Sequence, residues 1–280
     1  MLACNQLGNN GRLGNQMFQY AALKGIAHRR GFEYCIPPFD RESIDNYGLG
    51  EAFDIKANFG TPNLQQIGEP YFHYCKELHD QCPDNVSLIG YYQTEKYFKD
   101  IVSVIRKDFT FKKELFDSCK DIMKQFNGKP VVFLHVRRGD PNMVDRRGFK
   151  WAYVNCLDQH PVQTLEYYQE ALLQFPTDYS IMVFSDSIDW CKEQEIFKSS
   201  RFLFSESLSK YSDGALVPHV DLCLMTLCDH AIIANSSMSW WGAWLIQNPN
   251  KRIIAPRRWF GPAYVHHDTR DIYCNGWKIV

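Results

Sequence analysis

Four ionisable side chains follow directly after an apolar stretch that predicts a buried strand. Residues 131–134 read Val-Val-Phe-Leu, and His135, Arg137, Arg138 and Asp140 come next. Charged groups at the end of a buried strand are costly unless they are paired or bind a ligand. A guanidinium offers paired donors that fit a diphosphate and keeps its charge. One arginine could therefore face a phosphate while the other is held by Asp140 or a neighbouring carboxylate. A purely structural ion-pair cluster is the alternative.

Two further predicted strands, residues 180–185 and 231–234, also end in side chains that can bind phosphates or sugar hydroxyls. These side chains are Ser185, Asp186, Asn235, Ser236 and Ser237. Ligands of parallel α/β sheets lie beyond the carboxyl ends of the strands, so the three polar groups are expected on one rim. One anionic, hydroxyl-rich ligand would explain all three groups, whereas helix capping is the alternative for the last two.

A glycine-rich segment opens a predicted helix near the N-terminus. Residues 8–15 read Gly-Asn-Asn-Gly-Arg-Leu-Gly-Asn. This segment has neither the GxGxxG spacing of dinucleotide sites nor the Gly-Lys-Ser/Thr of a Walker P-loop. A glycine-rich turn still leaves backbone donors exposed, and Arg12, Gly14, Asn15 and Gln16 lie in it or at its mouth. These residues are candidates for ligand contact.

The predicted strands and helices that would position these groups fall into two sets. The boundary between the sets is at residues 127–130, Asn-Gly-Lys-Pro, which is the strongest turn signal in the chain. We therefore predict two domains, residues 1–128 and 129–280. In the second, short apolar strands alternate with helices, which predicts an α/β fold with a parallel sheet. The strands are predicted at 131–136, 180–185, 201–204, 231–234 and 252–255, and the helices at 163–174, 187–197, 217–228 and 237–246. In the first, helices are predicted at 14–30, 95–109 and 113–126 and a strand at 86–93.

Composition and motifs exclude several classes of function. The formal net charge is −1, from 31 Lys and Arg against 32 Asp and Glu, so no global field attracts nucleic acid. The ten cysteines form no CxxC pair and are expected to be free thiols in a reducing compartment. No DxD pair follows a strand, so a metal-dependent sugar-nucleotide site lacks its ligands. The GxSxG motif of a nucleophilic serine does not occur either.

The sequence carries no predicted membrane or export segment. The N-terminus lacks a basic stretch followed by a continuous apolar run, so no signal peptide is predicted. No apolar run reaches the roughly 18–20 residues of a membrane helix. A cytoplasmic protein without an integral membrane segment is expected, with loose membrane association left open.

Five segments together resemble the α-1,2-fucosyltransferases of glycosyltransferase family 11. They are residues 11–21 (GRLGNQMFQYA), 90–98 (GYYQTEKYF), 135–140 (HVRRGD), 184–186 (FSD) and 234–245 (ANSSMSWWGAWL). The matches follow the family order and spread over nearly the whole chain. The resemblance implies a GT-B-like α/β fold, with two Rossmann-type domains facing a cleft and mostly parallel sheets. It also implies inverting transfer of L-fucose from GDP-β-L-fucose to the 2-hydroxyl of a terminal galactose in a β-galactoside glycan, with no metal or other cofactor.

The resemblance also implies roles for individual residues. Arg137 would hold the β-phosphate and help fucose depart, and His135 would lie at the nucleotide. Arg138 and Asp140 would support the loop. The remaining donor-binding residues would be Ser185 and Asp186 at the ribose and pyrophosphate, with Asn235, Ser236 and Ser237. Arg12, Gly14 and Asn15 would belong to the N-terminal loop that faces the reacting centre.

The chain departs from the family directly after HVRRGD, where Pro141 replaces a typical aromatic residue. The following segment, through residue 161, should approach the acceptor, so the acceptor glycan stays undetermined. The catalytic base also stays open among Asp140, Asp145 and Asp158, since the amide of Asn15 can only orient a hydroxyl. Other fucosyl linkages, α-1,6 or to protein hydroxyls, and a catalytically silent nucleotide-sugar or glycan-binding protein remain the alternatives.

Overall fold

The chain forms two compact units. The computed structural model describes residues 1–39, 48–139, 157–205 and 217–280. The first unit comprises Met1–Lys112 with His267–Cys274, and the second comprises Lys113–His266 with Asn275–Val280. Each unit contains one sheet whose strands all pair in parallel, as predicted for an α/β protein.

The sheet of the first unit has five strands in the order β3-β2-β1-β5-β4. The strands are β1 (Leu2–Ala3), β2 (Tyr34–Ile36), β3 (Asn58–Phe59), β4 (Gln65–Gly68) and β5 (Val86–Ile89). Because β1, β5 and β4 are consecutive neighbours, the segments that follow them meet at the same edge of the sheet. The glycine-rich segment, the turn at residues 90–93 and the segment 69–75 are therefore placed side by side.

Within the described residues, the first unit contains four α-helices. They are α1 (Leu13–Arg30), α2 (Gly48–Ala52), α3 (Lys76–Gln81) and α4 (Val102–Asp108). α1 begins one residue before the predicted start and ends at the predicted residue 30, because Gly31 adopts a left-handed φ of 68°. The helix predicted at 95–109 is wrong in its first half.

That first half consists of two short 3₁₀ turns, Glu95–Tyr97 and Lys99–Ile101, which precede α4. A Cβ added to Gly25 of α1 would lie 2.0 Å from the backbone oxygen of Tyr97, so α1 and the first turn are in close backbone contact. Tyr97 and Phe98 are fully buried. Packing of these two rings therefore overrides the amphipathic pattern that favours a continuous helix.

The sheet of the second unit has six strands in the order β11-β10-β9-β6-β7-β8. They are β6 (Val131–Val136), β7 (Ser180–Ser185), β8 (Phe202–Phe204), β9 (His230–Ile232), β10 (Ile253–Ala255) and β11 (Lys278–Ile279). β6 and β7 have the predicted bounds. Their apolar side chains are buried on both faces, as expected for a parallel sheet that is covered by helices.

Five α-helices belong to the part of the second unit that the structure describes. They are α5 (Lys113–Met123), α6 (Leu165–Leu172), α7 (Ile188–Glu193), α8 (Pro218–Thr226) and α9 (Ser237–Leu245). Each lies within the bounds of a predicted helix. In α9, Trp240 and Trp241 have no exposed surface. A Cβ added to Gly242 would lie 2.9 Å from Cβ of Met225 in α8, so α8 and α9 pack closely and the tryptophans belong to the core.

The boundary between the units lies before α5, whereas the sequence places it at residues 128 and 129. The Asn-Gly turn exists, because Asn127 and Gly128 have φ values of 50° and 76°. It lies inside the second unit, however, because α5 packs against α8 and joins that core. The C-terminal stretch is also divided, since His267–Cys274 belongs to the first unit.

Candidate functional site

The three polar segments of the second unit do follow neighbouring strands. β9, β6 and β7 are adjacent and parallel, with Val136 opposite Ser185 and Leu134 opposite Ile232. Their carboxyl ends therefore lie at one edge of the sheet, as predicted. Residues 137–139, 185–187 and 233–237 together form what we call the second-unit rim.

Asp186 organises the turn that carries the two arginines. Its carboxylate accepts hydrogen bonds from the backbone N–H groups of Arg138 (3.0 Å) and Gly139 (2.9 Å), and it pairs with the guanidinium of Arg137. The Asp186 side chain is only 3% exposed and that of Arg137 is 16% exposed. Gly139 has a left-handed φ of 80°, which favours glycine at this position. A neighbouring carboxylate does hold an arginine, but the pair is Asp186 with Arg137, the arginine expected at the phosphate, and not with Arg138. Asp186, expected at the ribose and pyrophosphate, thus supports the arginine turn instead.

Arg138 is held differently. Its guanidinium carbon lies 3.7 Å from the centroid of the Trp190 ring, in the geometry of a cation–π contact. Trp190 lies in α7, four residues after Asp186, so that one short segment supplies the partners of both arginines. Sequence reasoning missed Trp190, although its spacing of one helical turn from Asp186 is visible in the sequence.

His135 is buried at the end of β6, with 3% of its surface exposed. Burial lowers the pKa of its imidazole to about 4, with Asp186 opposing and Arg137 assisting this shift. The ring is therefore neutral at neutral pH. Its Nδ1 atom is buried and has no hydrogen-bond partner within the described part of the chain. A buried acceptor or donor of this kind can be satisfied by a ligand.

Ser185 has a structural contact within the second-unit rim. Its hydroxyl oxygen accepts a hydrogen bond from the backbone N–H of Ser187 at 2.9 Å, directly before α7. The sequence allows either a capping role or a ligand contact for Ser185, and this bond supports the first without excluding the second, because a hydroxyl has further hydrogen-bonding capacity.

Asn235 joins separate segments of the second unit. Its amide nitrogen donates to the carbonyl oxygens of Pro161 and Trp259, both at 3.0 Å, and its oxygen accepts from Gln163 at 2.9 Å. The side chain is buried, with 4% exposed. These bonds occupy both amide hydrogens, which favours a structural role over a ligand contact for Asn235.

Ser236 and Ser237 begin α9 and are half-buried. Ser236 occupies the N-cap position, but its side chain makes no capping hydrogen bond. The sequence expectation that a polar side chain at 235–237 caps this helix is therefore wrong for Ser236. The position of both serines on the second-unit rim agrees with the prediction.

The glycine-rich segment of the first unit is tied down by amide side chains. Gln19 donates to the carbonyl oxygens of Asn10 (2.9 Å) and Gly90 (3.0 Å), and Gln93 donates to Oδ1 of Asn15 (2.8 Å). Gly11 has a φ of 87°, and a Cβ there would lie 2.5 Å from the Asn15 amide nitrogen. The segment therefore requires glycine for both conformation and space. Gln19 and Gln93 were not predicted as site residues.

The other predicted residues of this segment belong to the start of α1. Arg12 occupies its N-cap position, is half-buried and makes no capping bond with its side chain. Gly14 lies buried in the first turn, and Asn15 is half-buried beside it. The structure thus brings Arg12, Gly14 and Asn15 together at the carboxyl end of β1.

The turn at residues 90–93 is held by a carboxylate that was not predicted as a site residue. Glu69 accepts hydrogen bonds from the backbone N–H groups of Tyr91 (2.8 Å) and Tyr92 (3.0 Å). Gly90 has a φ of 157°, and a Cβ there would lie 2.4 Å from Cβ of Glu69. Burial raises the pKa of Glu69 to about 7, and the two N–H bonds oppose this shift. Nothing in the local sequence marks Glu69, because its role depends on the pairing of β4 with β5.

Of the three candidates for the catalytic base, Asp158 lies in the described part of the chain. Asp140 and Asp145 lie outside the described residues. Asp158 is exposed, and its backbone oxygen accepts from the N–H of Ala263 at 2.9 Å. Within the described ranges, no three His, Cys, Asp or Glu side chains are placed to share a metal ion. No helix of the described chain is both long and apolar enough to cross a membrane.

The fold is that of solved glycosyltransferases of the GT-B-like α/β class, as the resemblance implies. The fucosyltransferase NodZ from Bradyrhizobium superposes with a TM-score of 0.52 at 13% identity, over 86% of this chain and 91% of that chain. POFUT1 in complex with GDP superposes with a TM-score of 0.53 at 12% identity, over 91% of this chain and 97% of that chain. At these identities the likeness establishes the fold alone.

Sequence comparison establishes the family. The sequence model of glycosyl transferase family 11 matches residues 3–280, and the chain belongs to this family. An α-1,2-colitosyltransferase of Escherichia coli is 31% identical, over 89% of this chain and 90% of its own length. A human galactoside α-(1,2)-fucosyltransferase 1 is 26% identical, over 84% of this chain and 64% of its own length. The protein is therefore a glycosyltransferase.

Proposed function

We propose that this glycosyltransferase transfers L-fucose from GDP-β-L-fucose to the 2-hydroxyl of a terminal galactose, with inversion at the anomeric carbon and without a metal ion. The arginine turn held by Asp186 is the observation that carries this proposal. Membership of family 11 and the similarity to galactoside α-(1,2)-fucosyltransferases support the choice of fucose and galactose.

In this reaction the bond from the anomeric carbon to the β-phosphate oxygen breaks as the galactose oxygen attacks from the opposite face. The departing GDP gains negative charge, which Arg137 can stabilise as a preorganised cation. A guanidinium has five N–H donors, so its pairing with Asp186 does not by itself prevent a phosphate contact. Asp186 and Trp190 would position the turn, and the neutral His135 would offer its buried Nδ1 atom to the nucleotide.

The acceptor hydroxyl loses its proton in the same step. An oxocarbenium-like anomeric centre is strongly electrophilic, so a weak base suffices. We assign Asn15, held by Gln93, to orient the hydroxyl, because an amide cannot accept the proton at neutral pH. The group that takes the proton stays open among Asp140, Asp145 and Asp158.

A second donor is favoured by one comparison. The relative that is 31% identical over most of both chains is named a colitosyltransferase. The donor panel should therefore contain a colitosyl donor beside GDP-fucose. Faster turnover with the colitosyl donor would leave the α-1,2 transfer intact and replace the sugar in the proposal.

The test is donor turnover against lactose, N-acetyllactosamine and Galβ1-3GalNAc, with and without EDTA, followed by NMR of the product linkage. We expect α-1,2-linked fucose in both conditions. A requirement for added metal would contradict the metal-free transfer, and a different linkage would identify another fucosyltransferase. GDP binding without turnover of any donor would identify a silent binding protein.

Arg137→Ala should lower kcat at least ~100-fold, because it removes the charge that faces the leaving diphosphate. Arg201→Ala is the matched control, since Arg201 directly precedes the amino end of β8, at the opposite edge of the same sheet. The control should keep nearly full activity. Near-normal turnover by Arg137→Ala would exclude the proposed role of this arginine.

A further inference from the structure

The segment 69–75 presents an exposed aromatic stack. The rings of Tyr71 and His73 have centroids 4.9 Å apart and planes that differ by 10°, so they lie face to face. Tyr71 is 56% exposed, whereas His73 is half-buried beneath it. The stack therefore offers one open aromatic face to solvent, backed by a second ring.

The backbone is held before the stack by the N–H of Glu69, which donates to the carbonyl oxygen of Ile89 at 2.7 Å, and after the stack by two further bonds. The N–H of Tyr74 donates to Oδ2 of Asp271 at 3.0 Å, and the N–H of Cys75 donates to the hydroxyl oxygen of Tyr97 at 3.0 Å. Asp271 is buried and also pairs with Lys96 at 2.5 Å. The exposed ring is thus held on a rigid support, and a ligand that binds there need not order the loop.

The stack lies on the same sheet edge as the glycine-rich segment. It follows β4, and the glycine-rich segment follows β1, with β5 between them. Neighbouring strands are about 4.8 Å apart, so β4 and β1 are about 10 Å apart. Tyr91, on the turn after β5, is 40% exposed between the two. A ligand held near Asn15 and extended along this edge would reach the stack with its next part.

A sugar ring fits such a surface. One face of a pyranose consists largely of C–H groups with slight positive charge, and these groups pack on the negative face of an aromatic ring. We propose that the Tyr71–His73 stack binds the sugar unit next to the terminal galactose of the acceptor. The stack thereby favours oligosaccharide acceptors over single galactosides. This inference rests on the proposed function, because it takes galactose at Asn15 as the starting point.

The test measures the KM of the Tyr71→Ala protein for two acceptors of different length. For a disaccharide such as N-acetyllactosamine, KM should rise about 3- to 10-fold, which is the value of one aromatic contact. For methyl β-galactoside, which is too short to reach the stack, KM should not change. The KM for GDP-fucose should also stay the same. Tyr71→Phe keeps the ring and should behave like the unaltered protein with both acceptors.

Phe59→Ala is the matched control, since Phe59 is 50% exposed on β3, the opposite edge strand of the same sheet. Phe59→Ala should leave the KM unchanged for both acceptors. Equal changes for both acceptors with Tyr71→Ala, or no change for either, would overturn the inference. A sedimentation coefficient of Tyr71→Ala that differs from that of the unaltered protein would also overturn the inference, because it would identify the stack as a contact between copies of the chain.

The inference can fail separately from the proposed function. If no donor is turned over, saturation-transfer NMR with N-acetyllactosamine still reports binding to the protein. Signals from the reducing-end sugar that disappear in Tyr71→Ala would support the stack as a sugar site even though the proposed transfer was wrong. If these signals persist in Tyr71→Ala, the stack is not a sugar site, whether or not the protein turns over a donor.

Discussion

The two units use the same device to hold the turns that carry their predicted site residues, but they balance its charge differently. In the second unit the carboxylate of Asp186 accepts the N–H groups of residues 138 and 139, and in the first unit Glu69 accepts those of residues 91 and 92. Each carboxylate thus fixes two consecutive peptide units of a turn at the carboxyl end of a strand.

The two carboxylates differ in what they contact besides the two backbone N–H groups. Asp186 also pairs with the guanidinium of Arg137, so a half-buried cation balances its charge. The pKa of Glu69 is shifted by burial and by the two N–H groups, and it rises to about 7. The same backbone device is therefore neutralised by an arginine in one unit and depends on pH in the other.

The largest effect is expected from Asp186→Asn. The substitution leaves Arg137 without its carboxylate and turns one oxygen into an NH₂ group that faces an N–H donor. Breaking a buried ion pair from one side costs about 3 kcal/mol or more, so the free energy of unfolding in urea should fall by that amount. Because the arginine turn also loses its support, kcat should fall on the order of 100-fold.

Asp189→Asn is the control for this substitution. Asp189 lies in the first turn of α7 and is exposed, three residues after Asp186. It should change neither the free energy of unfolding nor kcat noticeably. An Asp186→Asn protein with the stability and activity of this control would show that the carboxylate does not hold the turn.

Glu69→Gln tests the pH dependence of the first unit. The folded protein keeps the Glu69 proton up to about pH 7, whereas the unfolded chain releases it near the ordinary value of 4.5. The folded state therefore binds more protons between these two values, and the contribution of Glu69 to stability falls as the pH rises through this window. The total loss is about 3 kcal/mol.

The measurement is the free energy of unfolding at several pH values from 4.5 to 8. The difference between the unaltered protein and Glu69→Gln should decrease steadily over this range. With Glu33→Gln, which alters an exposed carboxylate of the same unit, the difference should stay constant. A constant difference for Glu69→Gln as well would remove the contrast between the two turns.

The smallest effect is expected from Trp190→Leu. It removes the ring beneath the Arg138 guanidinium, and a cation–π contact of this kind is worth about 0.5–1 kcal/mol. The kcat/KM for the donor should therefore fall about two- to fivefold. Trp190→Phe keeps an aromatic face and should lose less. Equal losses in the two variants would show that Arg138 does not depend on the ring.

The sequence predicts the frame of the second-unit rim but not its contacts. Continuous apolar runs define β6 and β7 within one residue, and the parallel-sheet rule then places their polar ends together. The sequence could not show which arginine pairs with a carboxylate, or whether Asp140 or another carboxylate is the partner, because that pairing depends on how β6 and β7 are aligned. The amide of Asn235 gives no local indication that it bridges three separate segments.

In the first unit, less could be predicted. Glycines at positions 8, 11 and 14 indicate a tight turn, but Gln93 and Glu69 reach this region only through the order of the strands. The helix expected at 95–109 fails for a similar reason, since the backbone contact at Gly25 is a tertiary effect. Local patterns define elements well, whereas side-chain partners across strands depend on the assembled sheet.

The tryptophan-rich helix α9 has a consequence for spectroscopy. Six of the seven tryptophans are among the described residues and all six lie in the second unit, the numbering of Trp151 also falls within that unit's range, and tyrosines occur in both units. Fluorescence that is excited at the red edge of the absorption band therefore reports on the second unit alone, while far-ultraviolet circular dichroism reports on both. In one denaturant titration, a separation of the two curves measures how independently the units unfold.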